Sequence, residues 1–529
     1  MPIQPPGQLR PDELPELPMS GPFGGIQSEL PQHVLGNLGF YDCRNIMFRS
    51  ARADVRPGYS PLASVGESIL AIADFFTVAG NRVQCVITPT KIKVWQSGTR
   101  TWSDVTGTLT GTPPRFFNWT VVNHKLLFSN GIDKVQLWDG ITDTFADAAA
   151  AAVPARYLAE IGTHLVVADT IEGGRCHQRT RWTRSGDPTD WTSYSAGVHD
   201  ELGDLGPITG LCRISQIGYQ FHWRGIVQIV PTGVALRPFD FRAITQNNRG
   251  NIAPYSLAVF GEQAAFYVGK DDIYMFDGTN SVPIGSRAMT SEYGIAGAAR
   301  LGARARIFAE LKVADLDKVY GFVSSSISGN AFNAYWLVIP GGGSVWVYNI
   351  EEGSWTRLGY DKAVDLVSTF SDFHAIRICD LVGTIADQNW TPAGLPVNGG
   401  MDSMLIGFSD GTPGLVDFTN YSESPWFIQS GRLAMNDTRH GKTVKKFRIV
   451  FYDLGPLSFT VRFRNERGQT HTESVSFAGT GSGDPVVRTV PVSLSGMFLD
   501  WRLDGDANSP SSFAEFTPVY DVSGEHRNA

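Results

Sequence analysis

The chain has no run of eighteen apolar residues, no C-x-x-C pair and no surplus of positive charge, and only 18% of its residues are charged. The first absence excludes a membrane-spanning helix. The amino terminus, MPIQPPGQLRPDELPELP, also lacks the basic stretch and apolar core of a signal peptide, so the protein is expected to start without export. Five cysteines, Cys43, Cys85, Cys176, Cys212 and Cys379, are odd in number and widely scattered. They read as reduced buried thiols rather than a disulfide frame or a zinc site. With 44 Lys and Arg against 52 Asp and Glu, the formal charge is −8. Tight, nonspecific nucleic-acid binding is therefore disfavoured, and any DNA contact would be local, or weak enough to let DNA slide past.

What is present is turn-forming and apolar: 57 Gly, 30 Pro and 42% hydrophobic residues in 529. That mixture favours many short strands joined by tight turns. The length allows two or three domains, or one large propeller that takes most of the chain.

The first 35 residues hold eight prolines up to Pro31 and cannot bury enough surface to fold alone. They are expected to form an extended arm, with two readings open: disorder, or a path along a neighbouring subunit. Next comes NIMFRSARADVRPGY, where Ile46 and Phe48 alternate with polar residues before the Pro57-Gly58 turn. This is expected to be a strand leading into a first repeat.

From there a unit of roughly forty residues recurs, a propeller-blade length. Its end shows in KIKVWQSGTRTWSDV from Lys91, KVQLWDGITDTFADA from Lys134, DIYMFDGTNSVPIG from Asp272 and SVWVYNIEEGSWTRLG from Ser344. In each, alternating apolar residues reach an aromatic and then a glycine-bearing turn; Trp102, Phe145 and Trp355 resume the next strand in three of them. Apolar middle strands recur too: HKLLFSN from His124, THLVVAD from Thr163, YQFHWRG from Tyr219, EQAAFYVG from Glu262 and NAYWLVIP from Asn333. The expected fold is mainly β: a β-propeller of about six blades, plus or minus one, over residues 36–425. A short helical insertion is expected over 286–318, where Ile307, Leu311 and Ala314 fall at helical spacing. Residues 426–529 alternate with period two, Phe447, Ile449 and Phe451 facing one way and Phe459, Val461 and Phe463 repeating the pattern. They predict a separate antiparallel, sandwich-like domain.

No catalytic, cofactor or metal residue is assigned. The ten histidines are scattered, and His222, in an apolar strand, reads as a core histidine. Nucleotide-binding glycine loops and G-x-S-x-G are absent; Gly341, Gly342 and Gly343 read as a loose hairpin turn. The densest acidic cluster, Asp200, Glu201 and Asp204 beside His199, offers the best pair for a glycosidase, and a solvated turn is its default reading. Ser185, Asp187, Thr189 and Trp191 are similar to the Ser-x-Asp-x-Gly-x-Thr-x-Trp turn of sialidases, with the glycine displaced. In those enzymes the turn is structural.

A second resemblance starts at the same phrase. Arg181-Trp182 followed by SGDPTDW resembles a strand and turn of the tail nozzle and hub proteins of short-tailed bacteriophages. NIMFRSARADVRPGY, Asn45 to Tyr59, is similar to that family's opening phrase. The run from Ile208 to Gly278, with GIVQIVPTG before its glycine-bearing segment, resembles its central blades. VYNIEEGSWTRL, Val347 to Leu358, resembles its late blade end. Together these phrases span most of Asn45 to Phe418. The resemblance implies a β-propeller hub of six copies around a tail axis, joined to the portal and adaptor side, offering attachment to fibres or spikes, and passing double-stranded DNA without sequence-specific binding. It implies a virion tail location after assembly in the host cytoplasm. Six times −8 is about −48, a field that repels phosphate. No channel-lining residue is assigned. The other open functions are a carbohydrate-active propeller enzyme and a monomeric scaffold for a protein partner.

Overall fold

The computed structural model describes residues 14–33, 35, 39–96, 98–110, 116–244, 249–289 save the last, 300–325, 333–341, 344–370, 403–417, 420–421, 425–435, 440–506 and 510–525. Among them are seven four-stranded antiparallel sheets. Blades 1 to 6 occupy residues 71–105, 118–147, 155–200, 208–243, 258–283 and 320–359, each a meander in chain order. Each innermost strand packs on that of the next blade, and Val364–Phe370 of blade 7 returns to Ala71–Phe76 of blade 1, so the ring is closed.

Seven is the upper end of the expected count. The extra blade is hard to read in sequence because its outer strand comes from the far end of the chain. Gly58–Pro61 pairs with Pro413–Asp417, Gly58 opposite Asp417 and Pro61 opposite Gly414. Strand composition follows position in the ring. Second strands are covered by a blade on each face, so Ala264–Val268 and Ala334–Val338 are buried at every residue rather than alternately.

The carboxy-terminal region is a two-sheet sandwich, but it does not stand on residues 426–529 alone. One sheet takes Asp42–Arg44, paired Asp42 to Gln429. The other takes the hairpin Ile46–Arg49 and Arg52–Val55, paired Ala53 to Phe513. The expected boundary at 36 is therefore corrected: propeller strands span 58–417, and the phrase around Ile46 and Phe48 closes the sandwich instead of leading into a repeat. Phe447, Ile449, Phe451, Phe459, Val461 and Phe463 all face its core with Trp501, Phe513 and Phe516.

The described part of the arm, from residue 14, packs on its own chain. Met19 and Ser20 pair with Phe516 and Glu515 of their own chain, and Met19, Phe23, Ile26 and Leu35 are buried. Its composition cannot build a core, but it can add a strand to a sheet and fill one. Residues 1–13 lie outside the described set. Among the described residues of the helical insertion there is one short helix, α1 (Arg304–Glu310), then a 3-10 turn over Val313–Lys318. Ile307 is buried, but Leu311 ends the helix and Ala314 lies in the 3-10 turn, so the helical spacing holds only for its first member. Arg304 and Arg306 tie α1 to Glu29 of the arm at 2.9 Å and Asp42 of the sandwich at 2.6 Å.

Candidate functional site

The axis of the ring is filled. Phe116 enters blade 2 and Tyr320 opens blade 6, two blades that are not neighbours in a ring of seven, yet their ring centroids are 5.0 Å apart. Such a contact is possible only across the centre. Tyr255, on the approach to blade 5, meets Phe116 at 5.3 Å and Tyr157 of blade 3 at 6.4 Å. Burial pushes the Tyr320 hydroxyl up to about 12. This aromatic plug was not foreseen in the sequence; the only local signal is the Phe116-Phe117 pair just ahead of a strand, one ring turned to the axis cluster and the other to the blade 1–2 core.

The acidic cluster lies at the opposite radius. Asp200 ends Gly197–Asp200, the outermost strand of blade 3. Both its oxygens accept from Arg179, Nε and Nη2 each at 2.7 Å, and that pairing holds its carboxyl below the usual range. Glu201 is 3.5 Å from His199, whose ring stacks on Phe241 at 3.9 Å, and the exposed Asp204 meets Arg224 at 2.8 Å. The structure thus pairs each acid with a base on the rim and brings none of these residues to the axis. His222 is fully buried; its Nδ1 donates to the Gly206 carbonyl at 2.9 Å and its Nε2 accepts from Gln220 at 2.7 Å. Burial pulls its pKa down, which fits a neutral core histidine.

The turn with sialidase-like wording is a hairpin turn here too. Asp187 accepts from the Thr189 hydroxyl at 2.6 Å and its amide at 3.0 Å, and Asp190 accepts from the Ser193 amide at 3.0 Å. Trp191 is buried, and Trp182 Nε1 donates to the Ser195 carbonyl at 3.0 Å. Gly197 is required there, since a Cβ would sit 2.5 Å from the Trp182 ring.

Propeller and sandwich meet through Arg56. Its buried guanidinium donates to Asn45 Oδ1 at 3.0 Å, to the Pro57 carbonyl at 2.7 Å and to the Gly359 carbonyl of blade 6 at 2.7 Å, and lies 4.1 Å over the Tyr360 ring. Burial lowers its pKa. Cys43, Cys85 and Cys212 are free and buried, and burial pushes the Cys43 thiol up to about 12. Cys176 is half-buried; Cys379, Gly342 and Gly343 lie outside the described residues. Among the described residues no three His, Cys, Asp or Glu side chains are grouped to hold a metal, and no helix is long and apolar enough to cross a membrane.

No family model matches the chain, and no curated protein matches it. Solved structures do. The extracellular domain of the hybrid two-component system BT4673 from B. thetaiotaomicron is 10% identical with a TM-score of 0.39, over 81% of this chain and 47% of that one. The chain thus spans about half the length of that protein. YCF48 bound to a peptide is 11% identical with a TM-score of 0.38, over 68% and 96%. An exo-beta-1,3-galactanase from Phanerochaete chrysosporium is 11% identical with a TM-score of 0.24, over 87% and 100%. At these scores the likenesses say nothing about function, and the propeller stands on its own strand pairing.

Proposed function

We propose that the chain is a structural virion protein: a hub or nozzle subunit of a short-tailed phage tail, assembled as a homohexamer through which genomic DNA is retained and released. One observation carries the reading. Two of the phrases with hub-like wording lie some 300 residues apart in sequence, and they meet in space at the joint between the two bodies. Asn349 Nδ2 donates to the Phe48 carbonyl at 2.8 Å, the Asn45 amide donates to the Arg357 carbonyl at 3.0 Å, and the Ala51 amide donates to Glu352 Oε1 at 3.1 Å. The phrases that resemble hub proteins thus supply hydrogen bonds that join propeller and sandwich, and a tail channel wall needs its parts joined.

In this reading the DNA path runs between copies, because the Phe116–Tyr320 contact fills the propeller's own axis. The −8 charge of each copy keeps that path from binding phosphate. Adaptor or portal-side proteins and fibres or spikes are the partners, and the virion tail is the location. Against the carbohydrate-active reading, both Asp200 oxygens accept from Arg179, and Asp200 sits on the outermost strand of blade 3.

Light scattering with negative-stain imaging of the same sample tests the proposal. Rings near six times 57.7 kDa support it. A monomer that cleaves a glycan, with cleavage lost in Asp200→Asn, replaces it by the enzyme.

A further inference from the structure

A four-stranded meander that enters at one face of the ring returns to that face after every second strand. The segment leading into each blade and the turn between its second and third strands therefore lie together. On that face, between blades 4 and 5, four such segments line a groove of about 530 Å³, within the ~300–1,000 Å³ of small-molecule sites. Asp204 comes from the segment entering blade 4 and Arg249 from the one entering blade 5; Trp223 and Arg224 lie in the second turn of blade 4, Lys270 and Asp271 in that of blade 5.

Backbone contacts fix these walls. The Trp223 amide donates to the Pro207 carbonyl at 3.1 Å, the Arg224 amide to the Leu205 carbonyl at 3.0 Å and the Asn251 amide to the His222 carbonyl at 3.0 Å. His222 Nδ1, donating to the Gly206 carbonyl at 2.9 Å, ties down the segment that carries Asp204. Gly250 is required, since a Cβ would lie 2.3 Å from the Trp223 carbonyl.

The side chains on those walls are only partly answered by the fold. Trp223, at 41%, is the one exposed tryptophan among the described residues. The Arg249 guanidinium donates to the Ser281 carbonyl at 3.2 Å and lies 5.1 Å from the Tyr274 ring centroid, with no carboxylate partner among the described residues; the Lys270 ammonium has no ion pair there either. Asp204 Oδ1 accepts from Arg224 at 2.8 Å and Asp271 Oδ1 from the Tyr274 hydroxyl at 2.7 Å, which leaves each carboxylate a second oxygen to accept with.

We propose that this groove binds an acidic saccharide, a chain of sugar rings that carry carboxylates. The sugar carboxylate pairs with Arg249 and Lys270, ring hydroxyls donate to Asp204 and Asp271, and the apolar face of a sugar ring covers the Trp223 indole. A neutral saccharide leaves the two cations unanswered. A DNA strand brings an anion and a base to stack, but no row of hydroxyl donors for the two carboxylates, which then repel it. The inference does not rest on the hub reading: it needs one copy of the chain and no cleavage.

An array of uronate-bearing and neutral oligosaccharides, probed with the full native chain, tests it. Trp223→Ala and Lys270→Glu are the site variants; Arg237→Glu, exposed at the last hairpin of blade 4 on the opposite face, is the charge control. A thermal melt of each checks folding. The native chain is expected to retain uronate-bearing oligosaccharides over neutral ones. Each site variant, melting as the native chain does, is expected to lose at least about tenfold in affinity for the best-retained oligosaccharide by calorimetry, and Arg237→Glu to lose nothing. Retention of no uronate-bearing oligosaccharide, equal retention of neutral ones, or binding that the site variants leave unchanged or that Arg237→Glu weakens equally overturns the site. Tighter binding of single-stranded oligothymidylate, lost in the same site variants, replaces the saccharide by nucleic acid. The hub reading stands or falls separately, on ring assembly and on the chain's presence in virion tails.

Discussion

Arg56 Nη2 donates to the carbonyl oxygen of Gly359 at 2.7 Å, across 303 residues of chain, from just past the sandwich strand Arg52–Val55 to the last strand of blade 6. The guanidinium has three acceptors and no carboxylate among its hydrogen bonds, so the two bodies are held by a buried charge solvated by carbonyls and one amide. Arg56→Met strands those acceptors, and the expected loss is about 3 kcal/mol. Arg56→Lys should recover little of it, because an ammonium cannot reproduce the planar fork. Thermal or denaturant unfolding of the three proteins checks both statements.

The axis plug predicts a different signature. Phe116 is nearly fully buried among Tyr255 and Tyr320. Phe116→Ala should cost about 3–5 kcal/mol through the cavity it leaves, read as a lower denaturant midpoint with an unchanged slope.

Ring closure rests on Gly414, where a Cβ would fall 2.6 Å from the Tyr59 ring and 2.8 Å from Phe408. Gly414→Val should push the strand Gly58–Pro61 off blade 7, destabilise by about 2 kcal/mol, and show as faster proteolysis near residue 60 before global unfolding.

Asp453 gathers the loop before the sandwich edge strand. It accepts from the amides of Thr480 at 2.9 Å and Gly481 at 3.0 Å and from the Thr480 hydroxyl at 2.8 Å, which brings its pKa down to about 2. A carboxyl depressed in the folded state stabilises fully above its unfolded pKa of ~4, and that stability is lost as pH falls through the folded value. The difference in stability between the native protein and Asp453→Asn should be constant from neutral pH down to ~4 and shrink on further acidification toward 2. A difference that grows on acidification contradicts the clasp.

Asp200→Asn removes an exposed ion pair with Arg179, so it should shift stability by no more than about 1 kcal/mol. Glycan cleavage assays of the native chain and the variant should coincide.

Blade hairpins were legible because their signal is local: Trp95 and Trp102 lie opposite one another across one turn, seven residues apart. The seventh blade, the boundary at 58 and the fate of the arm were not, because their information is split between chain ends, as in Gly58 opposite Asp417 or Met19 opposite Phe516. Local alternation at Ile46 and Phe48 says strand, and cannot say which sheet. The same holds at the centre, where Phe116 and Tyr320 carry no mark of each other in sequence. The acidic run at 200–204 was conspicuous for the opposite reason, since density in sequence did not reveal that Arg179 would claim Asp200.

Immunogold labelling of purified phage particles with antibody against this chain tests the central claim most directly. Gold confined to the tail, with several grains per particle, is the predicted result. Particles that carry the chain on the capsid, or do not carry it at all, would contradict it.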